Sequence, residues 1–187
     1  DKQAANWPEV CKAFAKRGYV AASINYRLGR AAGAEYEPAW RAQQDLRAAI
    51  RFARANAAAI KINSSKIYIM GSSAGGATCL ITAYMDAGEA PASVNQAIWG
   101  NIEGSSGSPG YSSAVSGVVS MWGGVSDTLG ITGPIPVGLL HSFYDPTAPY
   151  QSQYDPVRNV TTYGSFSINA RARNTGIVTD LKTYYYN

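Results

Sequence analysis

Apolar runs, helical repeats and turn residues alternate along these 187 residues so that strands follow helices, which predicts an α/β domain with a mostly parallel sheet flanked by helices on both faces. Two further observations support that class. The apolar set makes up 46% of the chain, enough for a single domain over residues 1–187 with a sizeable core. A short apolar run, Lys66-Ile67-Tyr68-Ile69-Met70, enters Gly71 and gives way at once to a helical pattern, which is a strand, a sharp turn and a helix in immediate succession.

Taken in order, Trp7, Val10, Cys11 and Phe14 recur at helical spacing and Gly18 stops that helix, after which Tyr19 to Ile24 reads as a buried strand. From Glu37 to Ala58, Trp40, Leu46, Ile50 and Ala53 share one side of a long amphipathic helix. Arg47, Arg51 and Arg54 form a neighbouring stripe, expected to be a solvated face. The strand ending at Met70 is followed by a helix over 74–85. Residues 100–113 hold nine Gly or Ser among fourteen and read as a loop. Val115 to Trp122 is a strand closed by Gly123-Gly124, and Pro136 to His141 a further one. Ser165 to Asn174 reads as a helix stopped by Gly176, and Ile177 to Tyr186 as a last strand rich in β-branched and aromatic residues. Neither an internal repeat nor a dividing linker is visible.

Composition bounds the function. Lys and Arg number 16 against 12 Asp and Glu, a net charge of +4, yet only 15% of residues are charged and the basic ones are scattered, so no nucleic-acid partner is expected. No stretch approaches the roughly 18 consecutive apolar residues of a membrane span, and Asp1 to Asn6 resemble neither a signal nor a transit peptide. Cys11 and Cys79 lack metal-ligand spacing and the chain has 1 histidine, so no metal site is expected. Low charge, abundant Ser, Gly and Tyr, and the sequons Asn63-Ser64-Ser65 and Asn159-Val160-Thr161 lean towards a secreted or extracellular protein.

The chemistry-bearing motif is Gly71-Ser72-Ser73-Ala74-Gly75, followed by Gly76: a G-x-S-x-G pattern between a strand and a helix. That turn holds its serine in a strained backbone, and tiny residues two before and two after let strand and helix approach. The helix that follows aims its amides at the serine, so the N–H of Ala74 is placed to stabilise an oxyanion. With Lys16-Arg17-Gly18-Tyr19-Val20, Ile24-Asn25-Tyr26-Arg27-Leu28-Gly29 and the segment His141-Ser142-Phe143-Tyr144-Asp145-Pro146-Thr147-Ala148-Pro149-Tyr150, the chain resembles the α/β-hydrolase superfamily over nearly its whole length, specifically the carboxylesterase and lipase-like branch. The resemblance implies Ser73 as nucleophile, Ala74 as oxyanion donor and Asp145 as triad acid. Ser142 and Ala148 replace a glycine and a valine of the family pattern, and Ser72 stands where many relatives carry Glu or Asp.

A serine hydroxyl needs a base, and the family order is Ser, acid, then a His after the last strand. His141, the sole histidine, matches instead the family's His-Gly pair before the acid, where a structural role is expected, so the triad His is expected outside this chain. In the family's sheet order, 1-2-4-3-5-6-7-8, Tyr19 to Asn25 corresponds to the fourth strand and Lys66 to Met70 to the fifth. The third, which belongs between them, and a His-Gly-Gly type oxyanion loop are not found, so the chain is expected to be part of a hydrolase of roughly 250 to 300 residues.

Further expectations concern the surroundings. About a dozen residues join Trp122 to Pro136, too few for the cap many relatives insert there, so an open site is expected. Trp122, Tyr144, Tyr150 and Tyr154 are candidate walls, with core or rim packing an equal alternative. Arg27 and Asp45 are expected to form a structural ion pair. Cys11 and Cys79, on helices at opposite faces, are not expected to pair with each other. The resulting expectation is a serine hydrolase acting on small-molecule or polymer-linked carboxylic esters through an acyl-enzyme, with no cofactor implied. The alternatives are a non-catalytic binding module on the same fold, or a peptidase or acyltransferase with the same triad.

Overall fold

The computed structural model describes residues 6–29, 36–157 and 159–185. The expected end of the last strand at Tyr186 and the start at Asp1 to Ala5 lie outside the described residues. Helix α1, Trp7–Ala15, carries Pro8 in its first turn, where the missing N–H costs nothing. Gly18, at φ 86, turns the chain away. The strand expected over Tyr19 to Ile24 does not form: residues 19–28 join no ladder, and Tyr19 and Val20 are 52% and 60% exposed. Their composition suits a strand, but a strand is stable only when a neighbour takes up its N–H and C=O groups, and no described strand lies beside this one.

Helix α2, Glu37–Ala55, is Ala-rich and buries Trp40, Ala48 and Ile50. The solvated face expected of its arginines is a mistaken expectation for two of them. Arg47 and Arg51 are 9% and 4% exposed. Arg47 donates to Gln43 at 2.7 Å, Glu103 at 2.8 Å and the Met85 carbonyl at 3.0 Å. Arg51 donates to Glu103 and to the Ser106 carbonyl, both at 2.6 Å. Burial pulls the Arg47 guanidinium below its usual pKa, with Glu103 opposing. At Glu103 burial pushes the carboxyl upwards, but the Ser113 hydroxyl and the two arginines outweigh it and hold it below the usual range. The loop at 100–113 is thereby pinned to α2 by one carboxylate that lies 52 and 56 residues away in sequence.

Four parallel strands form the sheet in the order β1-β2-β3-β6: β1 Tyr68–Ser72, β2 Gly117–Met121, β3 Val137–Ser142 and β6 Thr179–Tyr184. Helix α3, Ala74–Tyr84, joins β1 to β2 together with the short α4, Gln96–Trp99, whose cap is Asn95 accepting from the Ala97 N–H. Between β3 and β6 come an antiparallel hairpin, β4 Ser152–Asp155 with β5 Val160–Tyr163, and helix α5, Ser165–Asn174. Successive right-handed crossovers in one direction put α3 and α5 on the same face. The main core accordingly gathers there, with Ile69, Leu80, Val118, Val137, Leu139 and Ile168 all buried. The other face is covered more thinly. Met70, Val119, Met121 and Leu140 are only half-buried, and Phe14 of α1 reaches that side through Tyr19, which meets Tyr68 edge-on at 6.5 Å. Cys79 is buried in the core and Cys11 half-buried on α1, both as free thiols.

Candidate active site

Register places the site. Ser72, Met121 and Leu140 pair across β1, β2 and β3, so Ser73 and Trp122 stand one residue past that row, at the carboxyl ends of their strands. Loops at such ends converge over the sheet and carry the chemistry of parallel α/β folds. Ser73 has φ 51 and ψ −124, a backbone an L-residue adopts only when its surroundings impose it. They do so through the Ser73 N–H, which donates to the Met121 carbonyl at 2.9 Å, and the Ser73 carbonyl, which accepts from Ala77 at 3.0 Å as the first bond of α3. Both Ser73 and Ala74 are exposed. The Ala74 N–H heads α3, where no carbonyl four residues back can reach it, and so it is available to an oxyanion.

The glycines of the motif differ in their reasons. A Cβ on Gly71 would fall on the Gly75 carbonyl, so Gly71 is where strand and helix touch. Gly75 itself faces open space, so the tight contact belongs to its backbone and not to a side chain it lacks. Gly76 extends the motif by one residue, and Gly123, expected only as the end of a strand, meets it in space. A Cβ on Gly76 would lie 3.1 Å from Met121 O and from Gly123 Cα, and one on Gly123 would lie 2.7 Å from Ala77 N. The end of β2 therefore passes directly beneath the first turn of α3. The Gly123-Gly124 pair at a strand end was the available signal.

Asp145 lies three residues beyond β3, with its side chain 16% exposed. Its Oδ1 accepts from the N–H groups of Thr147 and Ala148, each at 2.8 Å, which fixes the carboxylate while leaving Oδ2 lone pairs for a partner. His141 is fully buried. Its Nε2 lies 3.2 Å from the Ala148 carbonyl, which can only accept, so Nε2 carries the proton and Nδ1 accepts from the Ser165 hydroxyl at 2.9 Å. Asp145 Oδ2 is 3.6 Å from the same Nε2, and Tyr150 packs edge-on against the ring. Burial holds the imidazole below its ordinary pKa, with the Ala148 carbonyl and Asp145 pulling the other way. With both nitrogens engaged, His141 ties the end of β3 to the loop at 145–148 and to the start of α5, which is a structural role.

Strand spacing puts β1 and β3 about 10 Å apart, with β2 and Trp122 at its end between the strand that leads to Ser73 and the one that leads to Asp145. Residues 123–135 contain no helix. Val125 instead pairs with Tyr163 of β5, so the hairpin borders this end of the sheet. Tyr154 is 56% exposed on β4, Tyr144 is exposed, and Tyr150 bonds Thr183 at 2.7 Å. The expected pair is present as well: the Arg27 backbone and guanidinium grip Asp45 at 2.7 to 3.1 Å, anchoring the segment after residue 19 to α2. A cleft of about 730 Å³ lined by Arg47, Arg51, Thr82, Tyr111 and Ile135 opens at the amino ends of the strands, remote from Ser73. Among the described residues no group of three or more His, Cys, Asp or Glu is placed to hold a metal, and no helix is long and apolar enough to cross a membrane.

A parallel sheet whose strained serine caps the helix after β1, with an acid after β3, defines an α/β-hydrolase fold. Comparison with known proteins agrees. Among solved structures, Thermogutta terrifontis esterase 2 phosphoramylated by tabun aligns at TM-score 0.66 and 20% identity, covering 97% of this chain and 65% of its own. The butyrate-bound form of that esterase gives 0.67 and 19%, covering 97% and 66%. A truncated carbohydrate esterase from gut microbiota gives 0.62 and 22%, covering 86% and 64%. The chain thus spans just under two thirds of the length of the structures it matches. No curated protein sequence matches it. The BD-FAE family model matches residues 1–133, and the chain belongs to that family.

Proposed function

We propose that this chain carries the nucleophile and acid of a serine esterase. Ser73 attacks the ester carbonyl, the Ala74 N–H receives the developing oxyanion, and the alcohol leaves to give an acyl-enzyme that water then releases. The observation that carries this reading is Ser73 itself, exposed and held at φ 51 at the head of α3. Asp145 orients and stabilises the imidazole that takes the serine proton. That imidazole comes from outside residues 1–187, because His141 is the chain's single histidine and both its nitrogens are engaged. The lack of a helix over residues 123–135 supports an open site, which would suit short acyl esters and esters carried on a polymer. The composition supports action outside the cytoplasm.

Hydrolysis of p-nitrophenyl acetate and butyrate tests the proposal in the protein that contains these residues. Ser73→Ala abolishes turnover if it holds. Unchanged turnover in that variant refutes it. The esterases among the structural neighbours, one of them described as phosphorylated by paraoxon, favour this chemistry over the binding-module alternative.

A further inference from the structure

Among the described residues, five that are not glycine have positive φ: Asn6, Lys61, Ser73, Trp122 and Asn159. Asn tolerates that region, and Asn6, Lys61 and Asn159 sit in turns. Ser73 and Trp122 differ from these in their place at the ends of sheet strands. They end adjacent strands, side by side in register, and Trp122, at φ 42, carries the bulkiest of side chains where a glycine costs least. The backbone has its own reason to bend there, since Gly123 must pass under Gly76 and Ala77. That explains the turn but not the tryptophan. Nor does packing explain it, because the residue is 40% exposed and no described aromatic ring stacks on its indole.

The Trp122 N–H donates to the Leu140 carbonyl at 2.7 Å, so the residue is fixed between the strand ends that carry Ser73 and lead to Asp145. Just beyond it, Gly124 presses on Thr162 and Val125 pairs with Tyr163 by hydrogen bonds of 2.8 and 3.0 Å, which backs the strained turn with the β4–β5 hairpin. A half-exposed apolar ring on a fixed backbone, one strand from the nucleophile, is a surface on which the ester's acyl group can lie. We infer that Trp122 is a specificity-determining residue, the apolar platform for acyl groups longer than acetyl. The inference rests on the esterase reading above.

The test compares kcat/KM for p-nitrophenyl hexanoate with that for the acetate in the unsubstituted protein, Trp122→Gly and Trp122→Phe. Glycine accepts φ 42, so that variant keeps the fold while removing the ring. The hexanoate-to-acetate ratio is expected to fall at least 10-fold in Trp122→Gly, through KM and kcat together, with much of the ratio restored by phenylalanine. An unchanged or increased ratio in Trp122→Gly overturns the platform while leaving the esterase reading intact. Absence of ester hydrolysis in the unsubstituted protein overturns both.

Discussion

Gly71 and Gly75 occupy equivalent places in the G-x-S-x-G pattern, yet the structure predicts opposite responses to the same added methyl group. At Gly71 the new Cβ would fall on the backbone carbonyl of Gly75 and lie 2.9 Å from the Gly76 nitrogen, and backbone cannot swing aside as a flexible side chain can. Overpacking of this kind costs about 1–3 kcal/mol, from which about 0.4–1 kcal/mol is regained by restricting the unfolded chain. A domain of this length loses about 2–4 °C of Tm per kcal/mol, so Gly71→Ala should melt several degrees lower. It should also lose most of its ester hydrolysis, because the displaced carbonyl belongs to the first turn of α3, which holds Ser73. At Gly75 a Cβ meets nothing within 4 Å, and alanine in a helix is favoured over glycine by about 0.5–1 kcal/mol, so Gly75→Ala should melt 1–4 °C higher. Thermal unfolding of the two variants, alongside p-nitrophenyl acetate turnover, checks both halves. Equal shifts, or a larger loss at Gly75, would refute the assignment of the strand–helix contact to Gly71.

Three further outcomes follow from the geometry. Asp145→Asn keeps an oxygen for the Thr147 and Ala148 N–H groups, so the loop should stay folded while kcat falls about 10³ to 10⁴-fold, measured against unchanged thermal stability. Glu103→Gln leaves Arg47 and Arg51 without their carboxylate. Because Glu103 is 42% exposed the full cost of a broken buried pair is discounted to about 1–3 kcal/mol, read by urea denaturation. His141 is held below its ordinary pKa, so the unfolded chain binds its proton first. Its contribution to stability is complete above about pH 6.5 and is lost as pH falls below that towards the lowered folded value. His141→Gln should flatten the urea midpoint between pH 7.5 and 5; an unchanged slope would exclude the imidazole as its source.

Much of this architecture is legible in the residues, for reasons that can be traced. Helix α5 occupies Ser165–Asn174 as its composition and Gly176 imply, and α3 begins where the glycine-flanked serine ends β1. Local pattern suffices where the stabilising contacts are local. It fails where the partner is distant. Arg47 and Arg51 sit on a stripe that helical periodicity assigns to solvent, and only Glu103, brought in by the loop, explains their burial. Tyr19 to Ile24 has the composition of a strand but joins no ladder, since pairing depends on a neighbour and not on the segment alone. The β4–β5 hairpin has short, half-exposed strands with weak alternation, although Val160-Thr161-Thr162-Tyr163 is β-prone and Asn159, at φ 51, was a usable turn signal. At the site, Ser73 and Asp145 are named by motif, whereas the crossing of Gly123 under Gly76 requires two segments that meet only in space.

The most direct test of the account is covalent. Treating the protein with paraoxon and measuring the mass of its peptides should place one phosphoryl group per chain on the peptide containing Ser73, with no adduct in Ser73→Ala and ester hydrolysis lost in step with labelling. An adduct on a different residue, or ester hydrolysis that survives in Ser73→Ala, would contradict the assignment of Ser73 as nucleophile.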